Sequence, residues 1–491
     1  MIMNKEVRIQ KIQEIIERNQ SDPFGKQEIP WEDDLITMNV YKIPLDLLVY
    51  NKYNGRILSR TKSLEKQRRI IDEFSDEGKK IIEKLLWNSK IDANKKTQKN
   101  IADFGQQKIG IITKDGIIID GNRRAMLLND IQNDGALSGK KFSKRYDYFK
   151  AVVLPITLLE NPLEIEKLET SFQMGEDKKL GYNATEKYLK AKELYLKLTG
   201  KIVIDLKKLD NVAIGKIADW MGEAEGEIIK YLDTMAVMDE YLEYVEYDGI
   251  YTQLDSREDQ FLFLTKWLNT FYGENSKRAF DGYTDGDVDD LQFLAFDYLR
   301  FRNEYDGKEF RNIAEGNQEN HFFGNKEIWK SFLDKHKEIV AKLPKEAEID
   351  FNSPNLEAHL NARDSLFFES SKFGNKTSAF LDNLYYHKTS IEYNRAAEVP
   401  EKNIKNAHRA FDAIKQNHKN FSKPEIQDMV KELGDRIFNS LQKKSPSRVL
   451  SHIIELLEGI EVDKIPADEV QEVQDKTKRI QQIGYQINKN I

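Results

Sequence analysis

The chain has 491 residues, 40% hydrophobic and 32% charged, with 26 glycines and 11 prolines, a composition that excludes a chain dominated by disorder and fits about three to four globular units with heavily charged helical surfaces. A net charge of −7 over this length gives no global affinity for nucleic acid, so any such contact must be local. The absence of cysteine excludes disulfides, thiolate zinc sites and thiol catalysis, and fits a reducing compartment.

The opening residues, MIMNKEVRIQKIQEII, are charged throughout rather than signal-like, and no apolar run approaches the roughly 20 residues of a membrane span. A cytoplasmic protein without a membrane contact is expected. Residues 4–19 carry Val7, Ile9, Ile12, Ile15 and Ile16 at helical spacing and predict an opening helix. Asp22-Pro23 and Ile29-Pro30 then break the pattern. Residues 38–50, MNVYKIPLDLLVY, read as a strand ending in a turn, with Pro44 marking an edge or a bend. The polar turn NKYNGR follows, and its Arg56 by itself reads as a surface-loop arginine. Residues 61–104 read as helices with a break near 88–92 and a basic surface at Lys95, Lys96 and Lys99.

The central stretch is 105–128, GQQKIGIITKDGIIIDGNRRAMLL. Apolar runs at 109–113 and 117–119 flank Asp115-Gly116, a turn signal that predicts a small hairpin. After Asp120-Gly121 the composition becomes helical, so a helix begins on a glycine. Gly121 lets the backbone approach a ligand, and the first helical N–H groups have no internal acceptors and favour an anion. Arg123 and Arg124 in that first turn oppose the helix dipole by about 0.3–1 kcal/mol each unless an anion compensates them. Two readings follow: a phosphate cradle, or an ordinary amphipathic helix with solvated arginines.

The run IIDGNRRAML resembles the glycine-plus-arginine signature of the ParB/sulfiredoxin-like fold, where this segment closes on a nucleotide's phosphates. It is also similar to the DGQHR run of DNA-phosphorothioation regulators: Asp120, Gly121 and Arg124 match, while Asn122 and Arg123 stand where that run has Gln and His. IPLDLL followed by Arg56 resembles the family's strand leading to a nucleotide-binding arginine, and IADFGQQ, residues 101–107, its entry into the hairpin. A cysteine of true sulfiredoxins is replaced by Asn122, which excludes peroxiredoxin repair.

Residues 148–156, YFKAVVLPI, predict another strand after a polar loop at 135–145. Asn161-Pro162 starts a helix with Ile165, Leu168 and Phe172 on one face and Glu166, Glu169 and Gln173 on adjoining turns. Glu169 reads either as a solvated helix carboxylate or as a group beside the phosphate site that holds a divalent metal or orients water. Partition-type members of the resembling family carry E-N-x-x-R here; Glu169-Thr170-Ser171-Phe172-Gln173 keeps the glutamate and lacks the arginine, which leaves hydrolysis in question and binding intact.

Residues 182–200 predict a helix capped by Asn183, with Glu186 three residues on and Gly200 as a stop. In 214–235, Ala218 and Gly222 have the spacing of a helix-turn-helix, yet Glu223, Glu225 and Glu227 against Lys230 would repel DNA phosphates. Beyond Tyr241 the chain is aromatic and helical, with Phe261, Phe263, Trp267 and Phe271 as core. Asp281 to Asp290 fails the EF-hand template and reads as a loop. The seven histidines show no metal spacing, and no P-loop or nucleophile elbow is present. Pro344, Pro354 and Pro400 mark linkers; helices follow at 407–414, 423–441 and 448–457. The last stretch, 468–491, has the apolar spacing of helix pairing or dimerisation. Lys443-Lys444-Ser445-Pro446-Ser447-Arg448 before it reads as an exposed turn.

The expectation is therefore an α+β chain: an N-terminal helical extension (1–38), a small ParB/sulfiredoxin-like mixed α/β domain (39–175), a helix-turn-helix-like domain (176–245), and mainly α-helical domains at 246–345 and 346–491. The resemblance implies a nucleoside triphosphate, CTP or ATP, with Mg2+, held by Arg56, Asp120, Gly121, Asn122, Arg123, Arg124 and Gln173, with Glu169 as catalytic and metal-positioning residue. It further implies an NTP-binding or NTP-hydrolysing switch on or near DNA, in partition, phage defence or DNA-modification control, with a protein partner or second copy on the C-terminal helices. The alternative is a non-enzymatic DNA- or protein-binding regulator on the same fold.

Overall fold

A computed structural model describes residues 3–32, 34–67, 70–133, 146–175, 183–301, 304–305, 307–353, 355–374, 377–396, 400–442 and 445–491. The polar loop expected at 135–145, Pro354 and Lys443-Lys444 lie outside the described residues. The protein is α+β, and no described helix is long and apolar enough to cross a membrane. It divides into two compact units, residues 1–395 and 396–491.

The first unit carries a six-stranded mixed sheet: β1 (Gly25–Trp31), β2 (Asp34–Pro44), β3 (Val49–Tyr50), β4 (Gly110–Ile112), β5 (Ile117–Asp120) and β6 (Tyr148–Val153), in the order β1-β2-β6-β4-β5-β3. β1, β2 and β6 are antiparallel in turn, β4 is parallel to β6 and antiparallel to β5, and β3 is parallel to β5. α1 (Lys5–Arg18), α2 (Leu58–Lys66), α3 (Asp76–Ser89), α4 (Ile91–Phe104), α5 (Asn122–Asn133) and α6 (Pro162–Thr170) accompany it. Ile112 and Ile118 pack with α1, α3, α4 and α5, whereas Ile111, Ile117 and Ile119 pack with Ile165 and Leu168 of α6. Both faces of the central strands are covered, which is why their sequence is continuously apolar instead of alternating.

The segment expected as a break at Ile29-Pro30 is β1. Ile29 and Trp31 are buried while Lys26, Gln27 and Glu28 are exposed, and Pro30 is tolerated because β1 is an edge strand. Ile12 of α1 also enters the sheet core. The expected extension 1–38 is therefore integral to the sheet layer, and its boundary falls inside β2.

Helices α7 (Ala184–Thr199), α8 (Asn211–Met221), α9 (Glu225–Tyr244), α10 (Glu258–Phe271), α11 (Asp285–Arg300), α12 (Gly307–Phe310), α13 (Lys326–Lys342), α14 (Leu356–Glu369) and α15 (Ala379–Ala396) follow. One continuous core joins Leu58 of α2 to Ile391 of α15 through Phe261, Trp267 and Phe271. The boundaries expected at 245 and 345 thus cut through a single core. The expected turn between α8 and α9 is present, with Gly222 left-handed. The acidic run expected as a loop is helical from Asp285 onward: Thr284 and Asp287 form a capping box, and carboxylates are favourable at a helix start.

The second unit contains α16 (Pro400–Asp412), α17 (Pro424–Gln442), α18 (Pro446–Glu458) and α19 (Val470–Asn490). Pro400, expected in a linker, begins α16. Among this unit's described residues Val449 is the buried hydrophobic side chain, while Ile404, Met429, Ile437, Ile454, Ile480 and Ile487 are 39–65% exposed.

Candidate functional site

The site grows from the two ends of β5. At its start, Thr113 Oγ1 donates to Asp115 Oδ1 at 2.6 Å and Gly116 takes φ +84°, closing the hairpin. At its end, Gly121 takes φ +104°, and a Cβ there would lie 2.5 Å from the Phe149 ring. Only glycine turns the chain here. The first helical bond of α5 runs from Ala125 N–H to the Gly121 carbonyl at 2.9 Å, so the N–H groups before it stand outside the helical ladder.

The loop 51–57 is set against this junction. Asn51 Oδ1 accepts from Tyr53 N–H at 3.0 Å and Asn54 Oδ1 from Arg56 N–H at 3.2 Å, two local turns that asparagine favours. Asn122 stitches the loop to β5: its Oδ1 accepts from Asn51 N–H at 3.0 Å and its Nδ2 donates to the Ile118 carbonyl at 3.0 Å. The side chain expected to touch a ligand is therefore committed to positioning the loop.

Between loop and helix lies a cavity of about 220 Å³ lined by Arg56, Asp120, Gly121, Asn122, Arg123, Arg124 and Gln173, together with Lys108. Seven of the eight expected site residues thus share one wall. Among the described residues that line it, Arg56, Lys108, Arg123 and Arg124 carry positive charge and Asp120 negative charge. Arg124 donates to Asp120 Oδ2 at 2.5 Å and to the Ile109 carbonyl at 3.3 Å, and its buried Nε has no hydrogen-bond partner. Asp120 thus holds Arg124. Arg123 donates through Nε and Nη2 to Asn94 Oδ1 at 2.9 and 2.6 Å, an acceptor that aims the guanidinium.

Glu169, the eighth, lies behind the wall. Asn51 Nδ2, Asn54 Nδ2 and Gln173 Nε2 donate to it at 3.4, 3.3 and 3.1 Å, the Gly55 N–H adds a fourth bond, and Lys190 Nζ of α7 stands 3.8 Å away. Burial pushes its carboxyl up, with Lys190 acting in the opposite direction. Lys190, itself 2% exposed, also pairs with Glu166, whose carboxyl is held low by Lys190 and Lys197 against the effect of burial. Among the described residues no group of three or more His, Asp or Glu is placed to hold a metal ion. In the folded chain Glu169 gathers the Arg56 loop through Asn51, Asn54 and Gly55. α6 then passes into a π-helical turn, Ser171–Gly175, which brings Gln173 to the cavity and to the Ile119 carbonyl at 3.3 Å. Such turns recur where a helix is re-aimed for function.

Asn183 caps α7, its side chain accepting from Thr185 N–H at 3.2 Å. Glu186, three residues on, accepts from Ser59 N–H and Oγ at 3.0 and 2.7 Å, fixing the start of α2, with Arg60 at 3.5 Å. Burial raises its carboxyl from 4.5 to about 7, with the Ser59 bonds pulling the other way. A raised folded-state pKa contributes stability below the unfolded pKa that is lost as pH rises through the folded one. Relative to Glu186→Gln, the protein should therefore lose about 2–3 kcal/mol of stability between pH 4.5 and 7.5. Urea titrations of both proteins across that range check this, and a constant difference would contradict it.

The positioning roles of Asn51, Asn54, Glu186 and Lys190 are not readable from the sequence, because their partners lie far along the chain. A signal existed only in NKYN, where two asparagines flank a tight polar turn. No family model, curated protein or solved structure matches the chain.

Proposed function

We propose that the chain binds the phosphates of a nucleoside triphosphate in the cavity between Arg56 and the start of α5, and acts as a ParB-like switch. The observation that carries this reading is the convergence of Arg56, Arg123 and Arg124 on a glycine-led helix start that lines one cavity. Guanidinium pairs match phosphate geometry, and the helix start adds N–H donors. Magnesium enters with the nucleotide's own phosphate oxygens, since Glu169 is already saturated by donors. That enclosure favours the second reading for turnover: a binding regulator that does not hydrolyse its ligand. DNA as the surrounding partner is supported by the sequence resemblance alone, because α9 opens with Glu225 and Glu227.

Equilibrium titration with CTP and ATP, with and without magnesium, together with phosphate release in the presence and absence of DNA, tests both statements. Binding without turnover is expected. No binding under any condition contradicts the proposal, and rapid turnover contradicts the regulator reading.

The partner on the C-terminal helices is a second copy of the chain. In α19, Val470, Val473, Thr477, Ile480, Gly484 and Ile487 repeat at alternating three- and four-residue steps, the seam of a coiled coil. Light scattering should give twice 57.3 kDa, and Ile480→Asp with Ile487→Asp should give the monomer mass. A monomeric wild type would contradict this assignment.

A further inference from the structure

Strands β2 and β6 set Lys42 directly opposite Lys150, with Val40 opposite Val152 two residues along. Cross-strand partners share a face, so the two lysines continue the face on which Val40 and Val152 are buried with Ile165 and Leu168 of α6. Where that cluster ends, the face turns basic and aromatic. Tyr148 lies opposite Pro44, and Phe24, just before β1, donates its N–H to the Val40 carbonyl at 3.0 Å. Lys42 Nζ stands 4.9 Å from the centre of the Phe24 ring and 5.0 Å from that of Tyr148, and Lys150 Nζ stands 4.7 Å from that of Phe24. Phe24 is 47% exposed.

Like charges directly opposite each other on a sheet destabilise the pair. Among the described residues no carboxylate pairs with Lys42 or Lys150: Lys150 Nζ donates to the Gln106 carbonyl at 3.0 Å, and Lys42 lies on the two rings. Burial and then repulsion from Lys42 disfavour the Lys150 ammonium. Ring faces attract ammonium groups but carry no net charge, whereas an anion between the two removes the repulsion. Cations for phosphates and an exposed ring for a base are the two contacts that hold single-stranded nucleic acid. A duplex keeps its base faces inside the stack, and an acidic peptide matches the lysines but gives the ring no stacking partner. The net charge of −7 requires any nucleic-acid contact to be local, and this surface is a local cationic one.

We propose that this end of the sheet face takes a single strand of nucleic acid, with Lys42 and Lys150 on its phosphates and a base stacked on Phe24. The assignment is independent of the nucleotide reading, because none of these three residues lines the arginine-rich cavity. Gln106 joins the two places: its Nε2 donates to the Lys108 and Lys150 carbonyls, both at 2.8 Å, and Lys108 lines the cavity. The nucleic-acid partner then lies on the sheet and not on α9, whose first turn is acidic.

Anisotropy titration of the full chain with labelled oligothymidine of about twelve nucleotides, at salt between about 50 and 200 mM, tests this. Binding is expected, with log affinity falling by about 1.4 per decade of salt, two phosphate contacts at about 0.7 each. Lys42→Gln should halve that slope and Lys42→Arg restore it, while Phe24→Leu should weaken binding about 5- to 100-fold with the slope unchanged. Lys95→Gln with Lys96→Gln, on the exposed side of α4, should change neither. Melting temperatures show whether each variant is folded, and Lys150→Gln gives a second reading of the slope. No binding at the lowest salt, tighter binding of the same strand paired with oligoadenosine, equal binding of polyglutamate, or a slope that Lys42→Gln lowers no more than the α4 substitutions do, overturns the proposal.

Discussion

Arg123→Ala combined with Arg124→Ala is expected to lower nucleoside-triphosphate affinity by roughly 100- to 10,000-fold, two charge-assisted contacts at about 1.5–3 kcal/mol each. The double variant also carries a structural cost. Asn94 is fully buried, and its Oδ1 accepts from Arg123; leaving it unpaired removes about 1–3 kcal/mol of stability. Arg56→Ala, on the loop whose shape is set by the Asn51 and Asn54 turns, should lose about 10- to 100-fold in affinity, with the melting temperature measured alongside to separate binding from folding. If both variants bind nucleotide like the wild type while remaining folded, the arginines serve only to tie α5 to Asn94 and Asp120.

Lys190→Met should destabilise the protein by about 3–5 kcal/mol. Lys190 is 2% exposed and lies against Glu166 and Glu169, so its removal leaves Glu169 buried without a cation. Glu166 retains Lys197 at 2.6 Å. The sign of the pH dependence follows from the direction of the shifts. Without Lys190 the Glu169 carboxyl moves further up and the Glu166 carboxyl rises from its low value, so the penalty is largest above neutral pH and shrinks as acid protonates them in folded and unfolded chains alike. Chemical denaturation at pH 8 and pH 5 reads this directly; an equal penalty at both values would mean that lost packing, not the uncompensated carboxylates, dominates. Nucleotide affinity should fall too, because Glu169 holds the Asn51, Asn54 and Gly55 donors that aim Arg56.

What was legible in the sequence was local. Asp115-Gly116 marked the β4–β5 hairpin, Gly121 the entry to α5, Asn161-Pro162 the start of α6, and Asn183 and Gly200 the ends of α7. Each is decided by a residue's own backbone preference or by a partner within four positions. β1 was missed because Pro30 and the charged Lys26 to Glu28 are the features of an edge strand, where only Ile29 and Trp31 report burial. The single helical core was missed because nothing in the proline and acidic punctuation reveals that Leu58 and Ile391 share a cluster. For the site, the run from Asp120 to Arg124 was visible as a phosphate motif, but the distribution of work within it was not. Asn122 and Asp120 hold neighbours, and Glu169 positions a loop more than 100 residues away through Asn51 and Asn54. Such assignments depend on pairings that only the folded chain brings together.

The most direct test is a crystal structure of the protein with a non-hydrolysable nucleoside triphosphate and magnesium. Phosphate density within hydrogen-bond distance of the Arg56 and Arg123 guanidinium groups and the N–H groups at the start of α5 is the expected result. Density elsewhere at saturating ligand, with Arg123 still on Asn94, Arg124 still on Asp120 and no phosphate between them, would contradict the assignment of this helix start as an anion site.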